Sequence, residues 1–126
     1  MTIVLDAWAV TALFGDEHAA DRVERALDED HVVVSWINLG ESFYNAIKRR
    51  GRPAADAALR SLLPLIEAEA PDPELVLAAA TVKAHRRLSY ADAFCVATGQ
   101  RHRAPVWTGD PEILALDDLV EVVDLR

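Results

Sequence analysis

The chain has one cysteine, Cys95, among 126 residues. An internal disulfide is therefore excluded, and a reducing cytoplasm is the expected setting. No apolar run approaches the roughly 18 residues that a spanning helix needs, so no membrane partner is expected. No basic stretch precedes Ile3-Val4-Leu5, and Asp6 follows at once, which reads as a first strand and not as a signal peptide. The five glycines are scattered, which rules out the phosphate-cradling loop of a P-loop NTPase. No histidine pair has zinc spacing. Positive charge is scarce too: 13 Lys and Arg stand against 21 Asp and Glu, a net charge of -8. That balance argues against a protein that coats nucleic acid without specificity.

What is present is the makings of a core. Hydrophobic residues form 52% of the chain, and no polar low-complexity tail interrupts them. The length suits one domain, 1–126, with a moderate core. The few cations are clustered. Nine of the thirteen lie in Lys48-Arg49-Arg50-Arg52, in Lys83-Arg86-Arg87 and around His102 as Arg101 and Arg103. Such runs suit either helix C-termini or phosphate contacts.

Apolar and turn patterns divide the chain into strands and helices in alternation. Ile3 to Leu5 and the β-branched run His31 to Trp36 read as strands. Ala104 to Trp107 and Leu119 to Val123 read as two more, and Glu67 to Ala70 as a short edge strand. Helical spacing covers Ala7 to Phe14, Glu17 to Leu27, a helix capped by Asn38 and running to Arg50, and Ala54 to Ile66. It continues in Pro73 to Arg87, in a helix capped by Ser89 and running to His102, and in a short helix begun by Asp110-Pro111. Gly51 and Pro53 punctuate, and Pro64 bends or ends its helix. The alternation implies an α/β fold: a three-layer α/β/α domain around a mostly parallel sheet of four or five strands. Sites in such sheets lie at the carboxyl ends of the strands, near a reversal of strand order.

Four acids from four segments fall at that edge. Asp6 follows the first strand, and Glu41 lies in the first turn of the helix after the second. Asp92 lies in the first turn of the Ser89 helix, and Asp110 follows the Val106 strand. Each alone has a capping explanation: Asp6 and Asp110 as N-caps, Glu41 and Asp92 as acids three residues after Asn38 and Ser89. Together they raise one another's pKa, a cost that a cation relieves. Oxygen-only ligands with open positions suit Mg²⁺ or Mn²⁺. Thr108 adds a hydroxyl, and Gly109 would let the backbone come close to a substrate.

Asp6 after the first strand, Glu41, Leu88-Ser89-Tyr90-Ala91-Asp92-Ala93 and Thr108-Gly109-Asp110-Pro111 resemble the PIN domain, and within it the VapC-type toxin of bacterial toxin–antitoxin pairs. The likeness runs in order over nearly the whole chain. It implies a metal-dependent endoribonuclease that hydrolyses tRNA, rRNA or mRNA and is inhibited by a cognate small antitoxin, commonly as a homodimer. Asp6, Glu41, Asp92 and Asp110 fall on the family's acidic positions, where one or two Mg²⁺ or Mn²⁺ ions are held, and Thr108 on its usual hydroxyl. Glu41 would bind the metal or position the attacking water. One departure is visible: the family often has Ser, Thr or Asn two residues after the first acid, and here Trp8 stands there, either reshaping substrate access or packing. Arg49, Arg50 and Arg52, at the end of the Glu41 helix, are the best candidates for RNA contacts, although that end is expected to lie far from the carboxyl edge.

Other readings fare worse. A phosphorylated receiver needs paired acids at the first strand and a lysine after a late one. Asp6 stands alone, and the only lysines are Lys48 and Lys83. A non-catalytic binding module on the same fold, or a non-toxin RNA-processing PIN nuclease, remain as alternatives. Cys95, one turn beyond Asp92, reads as a buried small residue. Trp8, Trp36 and Trp107 read as packing anchors, and the apolar faces of the early helices suit either core or a dimer surface.

Overall fold

Ile3 and Leu5 of strand β1 (Thr2–Leu5) belong to one core cluster and Val4 to another, and all three are wholly buried. Strand β2 (His31–Ser35) repeats the pattern: Val32 and Val34 pack on one face, Val33 on the other. Successive strand side chains point to opposite faces, so a β-branched run buried throughout requires cover on both. The computed structural model, which describes residues 1–126, supplies it.

Helices α1 (Ala7–Phe14) and α2 (Ala20–Glu29) follow β1, and α3 (Trp36–Arg50) and α4 (Arg52–Leu62) follow β2. A 3₁₀ turn, Leu63–Leu65, leads to β3 (Glu67–Glu69), then α5 (Pro73–His85) and α6 (Tyr90–His102). Strand β4 (Val106–Thr108), α7 (Pro111–Leu114) and β5 (Val122–Asp124) complete the chain. The five strands form one parallel sheet in the order β3-β2-β1-β4-β5. Residues of α5, α6 and α7 build the core on one face, and those of α1, α2 and Leu62 of α4 build it on the other. The chain leaves β1 for β2 and β3 on one side and returns for β4 and β5 on the other. The reversal of strand order therefore lies between β1 and β4, beside the positions after Leu5 and Thr108.

Several boundaries move from their expected places. Ser35, not Asn38, caps α3, its hydroxyl oxygen accepting the Ile37 N–H at 3.2 Å. Asn38 is instead fully buried, and Glu41 sits in the second turn. The helix around Pro64 ends at Leu62, and the proline is taken up in the 3₁₀ turn. Gly51, with φ of +88°, turns the chain from α3 into α4, a conformation that a side chain resists. The expected edge strand is present as β3. No helix is long and apolar enough to cross a membrane.

Candidate metal centre

The turns after β1 and β4 share one buried hydroxyl. Asp6 caps α1: its Oδ1 accepts the Ala9 N–H at 2.9 Å. Its Oδ2 accepts the hydroxyl of Thr108, and that oxygen in turn accepts the Asp110 N–H at 2.9 Å. Asp6 and Thr108 are both buried. Asp110 caps α7 through the Glu112 N–H at 2.9 Å. Asp92 enters in the first turn of α6, where its N–H donates to the Ser89 hydroxyl oxygen at 3.1 Å. Asn38 ties α3 to that turn. Its amide donates to the Ala91 carbonyl at 3.0 Å and to Glu41 Oε1 at 3.4 Å, while its own Oδ1 is buried without a partner.

Asp6, Glu41, Asp92 and Asp110 thus line one cleft of about 280 Å³ at the carboxyl edge of the sheet, with Trp8, Thr11, Glu17, Asn45 and Arg49. Carboxylate oxygens of Asp92, Asp110 and Glu112 approach within 4.8 Å of one another. Glu112 is a member that the sequence did not single out. Its signal was the Asp110-Pro111-Glu112 spacing, which puts both acids at the start of one short helix.

Crowding and burial set the protonation. Burial raises Asp6 from 3.8 to about 7, against the hydrogen bonds from Thr108 and Ala9 and with the charges of Asp92 and Asp110. Burial first, then the charge of Asp110, raises Asp92 to about 6. Glu41 is raised by burial and by Asp110, and the Asn38 hydrogen bond opposes this. Such a site favours whatever brings positive charge, a proton or a metal ion. The donors are all oxygen, and no histidine or cysteine lines the cleft, so the set fits a hard divalent cation such as Mg²⁺ or Mn²⁺. Cys95 lies fully buried, its thiol held well above the usual range by burial.

The three arginines separate. Arg49 lines the acidic cleft and lies 3.6 Å from Glu17, so the end of α3 is not remote from the site as expected. The reason is the packing of α3 along α1, where the Thr11 hydroxyl donates to Ser42 and Ser42 donates to the Ala7 carbonyl. Arg50 donates to the Phe14 carbonyl at 2.7 Å, and Arg52 pairs with Asp56 at 3.0 Å and lies over the Phe43 ring. Neither lines the cleft. Gly109 is not open to a substrate either, because the indole of Trp8 packs against it.

A carboxylate cluster at the strand-order reversal of a parallel α/β sheet defines a class of acidic-site proteins. The chain belongs to the PIN domain family, whose model matches residues 3–119. Solved structures share its fold. VapC20 of Mycobacterium tuberculosis, described as a toxin that cleaves the sarcin–ricin loop, is 22% identical, with 90% of this chain and 94% of that one covered and a TM-score of 0.77. DNA-bound VapBC from Salmonella typhimurium is 15% identical over 100% and 99% of the two chains, with a TM-score of 0.81. VapBC-1 of nontypeable Haemophilus influenzae is 19% identical over 99% and 98%, with a TM-score of 0.75. No curated protein sequence matches the chain.

Proposed function

We propose that this chain is a metal-dependent endoribonuclease, the toxin of a toxin–antitoxin pair. The observation that carries the reading is the single cleft into which Asp6, Glu41, Asp92 and Asp110 converge from four segments, where burial and neighbouring charge hold the protons of Asp6, Glu41 and Asp92 above the usual range. Asp6, Asp92 and Asp110, with Glu41, would hold one or two Mg²⁺ or Mn²⁺ ions. Such an ion would supply Lewis acidity there, lowering the pKa of a bound water and offsetting the negative charge of a backbone phosphate. Thr108 keeps Asp6 oriented through its donated hydrogen bond, and Glu41 orients the attacking water or joins the ligands. Asn38 holds Glu41 toward the cleft. Glu112 adds a carboxylate beside Asp92 and Asp110.

The protein's own charge repels RNA, so cations must draw it in. Arg49 is the substrate contact best placed to do so, with Arg50 and Arg52 further out. The solved relatives include complexes of VapC-type toxins with partners, which supports a cognate antitoxin here. An apolar groove of about 470 Å³ lined by Leu13, Phe14, Leu27, Leu62 and Leu65 gives such a partner a place beside α1, α2 and α4. A homodimer would use other surface: Trp36, Tyr44, Leu77 and Tyr90 are exposed, whereas the inner faces of α1 and α2 are core. The setting of the reaction is the cytoplasm.

The test is cleavage of a mixed tRNA and rRNA pool by partner-free protein in Mg²⁺, Mn²⁺ or EDTA, with Asp92→Asn in parallel. Site-specific cuts that vanish in EDTA and in the variant support the reading. Cuts that persist in both belong to a contaminant. Absence of both cutting and Mn²⁺ binding would leave a binding module.

A further inference from the structure

We propose that Trp8 is a positioning residue for the acid cluster: its indole, seated on Gly109, sets how far Asp110 stands from Asp6, and through that distance the cluster's affinity for a divalent cation. The proposal rests on the metal-site reading above.

Trp8 lies in the first turn of α1, two residues after Asp6. A Cβ placed on Gly109 would stand 2.3 Å from Cζ2 of the indole, 2.4 Å from Cε2 and 2.6 Å from Cη2. The six-membered ring therefore fills the volume in which any other side chain at position 109 would begin. Gly109 does not adopt a positive φ, as Gly51 does. The glycine is required here for space and not for backbone conformation.

The position of that contact gives it consequence. Gly109 lies between Thr108, which donates to Asp6, and Asp110. The turns after β1 and β4 are thus joined twice. The Thr108–Asp6 hydrogen bond joins them on the buried side, and the indole–glycine contact joins them where Trp8 lines the cleft. The indole is backed on one side by the core cluster on the α1 face of the sheet, against which Trp8 packs. A side chain forced onto Gly109 therefore pushes the ring and the turn apart, and Asp110 is the next residue along. Ligand oxygens must sit within a few tenths of an ångström of their places to hold a small divalent ion, so this displacement is read out as affinity.

The experiment titrates Mn²⁺ into EDTA-stripped, dialysed, partner-free protein by calorimetry, with a metal-free thermal melt of each variant. The proteins are wild type, Gly109→Ala, Trp8→Ala and the double variant. Gly109→Ala is expected to weaken Mn²⁺ binding about tenfold or more, since disturbing the groups that orient a metal ligand typically costs about 10–100-fold in metal affinity. Trp8→Ala is expected to weaken it less, and the double variant to bind like Trp8→Ala, because removing the ring makes room for the new methyl. A merely structural role for Trp8 would lower the melting temperature without this rescue of affinity. Wild-type binding by Gly109→Ala, or a double variant no better than Gly109→Ala, overturns the proposal. If Gly109→Ala does not fold, Trp8→Phe and Trp8→Ala decide: a graded loss of affinity supports the proposal, and unchanged affinity in both overturns it. A wild type that binds no Mn²⁺ overturns the metal-site reading and this proposal together, whereas a binding wild type with unaffected variants overturns this proposal alone.

Discussion

In the metal-free protein, raising the pH from 5 to 8 is expected to lower stability, and Asp6→Asn is expected to remove most of that loss. Asp6 holds its proton up to about pH 7 in the folded protein, against an ordinary value of 3.8. Between those two values the folded state keeps a proton that the unfolded chain has released. Stability therefore falls as pH rises through this window and levels off above it. A rise from 3.8 to about 7 corresponds to about 4 kcal/mol when complete. Of this, about 2–3 kcal/mol develops between pH 5 and 8, a melting shift on the order of 10 °C for a chain of this size. Asp92 contributes with the same sign, up to about pH 6. The opposing groups act elsewhere: hydrogen bonds from Arg101 and Arg126 hold Asp72 and Asp124 at about 2, so their contribution is lost only in stronger acid. Asparagine keeps an oxygen for the Ala9 N–H but carries no charge into the buried site. Melts followed by circular dichroism at pH 5, 6, 7 and 8 in EDTA, for wild type and Asp6→Asn, provide the assay. A wild type whose stability is flat or rises over this range, or a variant that keeps the wild-type slope, would refute the reasoning.

Other perturbations separate the remaining contributions. Thr108→Val keeps the shape of the side chain but leaves Asp6 Oδ2 and the Asp110 N–H without their partner, at an expected cost of about 1–3 kcal/mol for each group left buried, measured by urea unfolding at pH 7. Gly51→Ala places a methyl on a backbone at φ +88° and is expected to cost about 1–3 kcal/mol in a thermal melt, with the cleft unaffected. Mn²⁺ at a hundred times its dissociation constant is expected to add about 2.7 kcal/mol to the wild type at pH 8, and Asp92→Asn to lose most of this gain. Arg49→Gln is expected to weaken binding of an uncleavable RNA and to make its logarithmic salt dependence shallower by about 0.7, as for one lost phosphate contact on a single strand.

The strands and the carboxyl-edge acids were legible because both depend on short-range pattern. Val32, Val33 and Val34 mark a strand with two buried faces, and acids stand one residue after the strand that ends at Leu5 and two after the strand that ends at Thr108. What was not legible depends on how helices cross. Asn38 is a good cap by residue type, yet Ser35 lies closer to the strand end and takes the role, so the Asn38 amide turns inward to Ala91 and Glu41. Arg49 reaches the cleft only because α3 packs along α1, and nothing in the sequence states that angle. Gly109 suggested open backbone, but the residue that fills the space is Trp8, one hundred and one positions earlier and brought near by the β1–β4 pairing.

The same pairing explains why the threonine hydroxyl matters more than its size suggests. Asp6 and Asp110 repel, and the fold nevertheless holds them in adjacent turns. One atom, the Thr108 oxygen, gives its hydrogen to Asp6 and takes one from the backbone of Asp110. Only a group that both donates and accepts at a single centre spans this gap without adding charge or bulk; serine is the one other side chain of similar reach that does so. The bond to Asp6 favours its ionised form, so it offsets part of the cost of burial while fixing where the carboxylate points. Orientation and electrostatic relief therefore come from one contact, and a variant that loses the hydroxyl loses both. Thr108→Ser should then retain the pH slope and stability of the wild type more closely than Thr108→Val, because the hydroxyl is kept and only a buried methyl is removed.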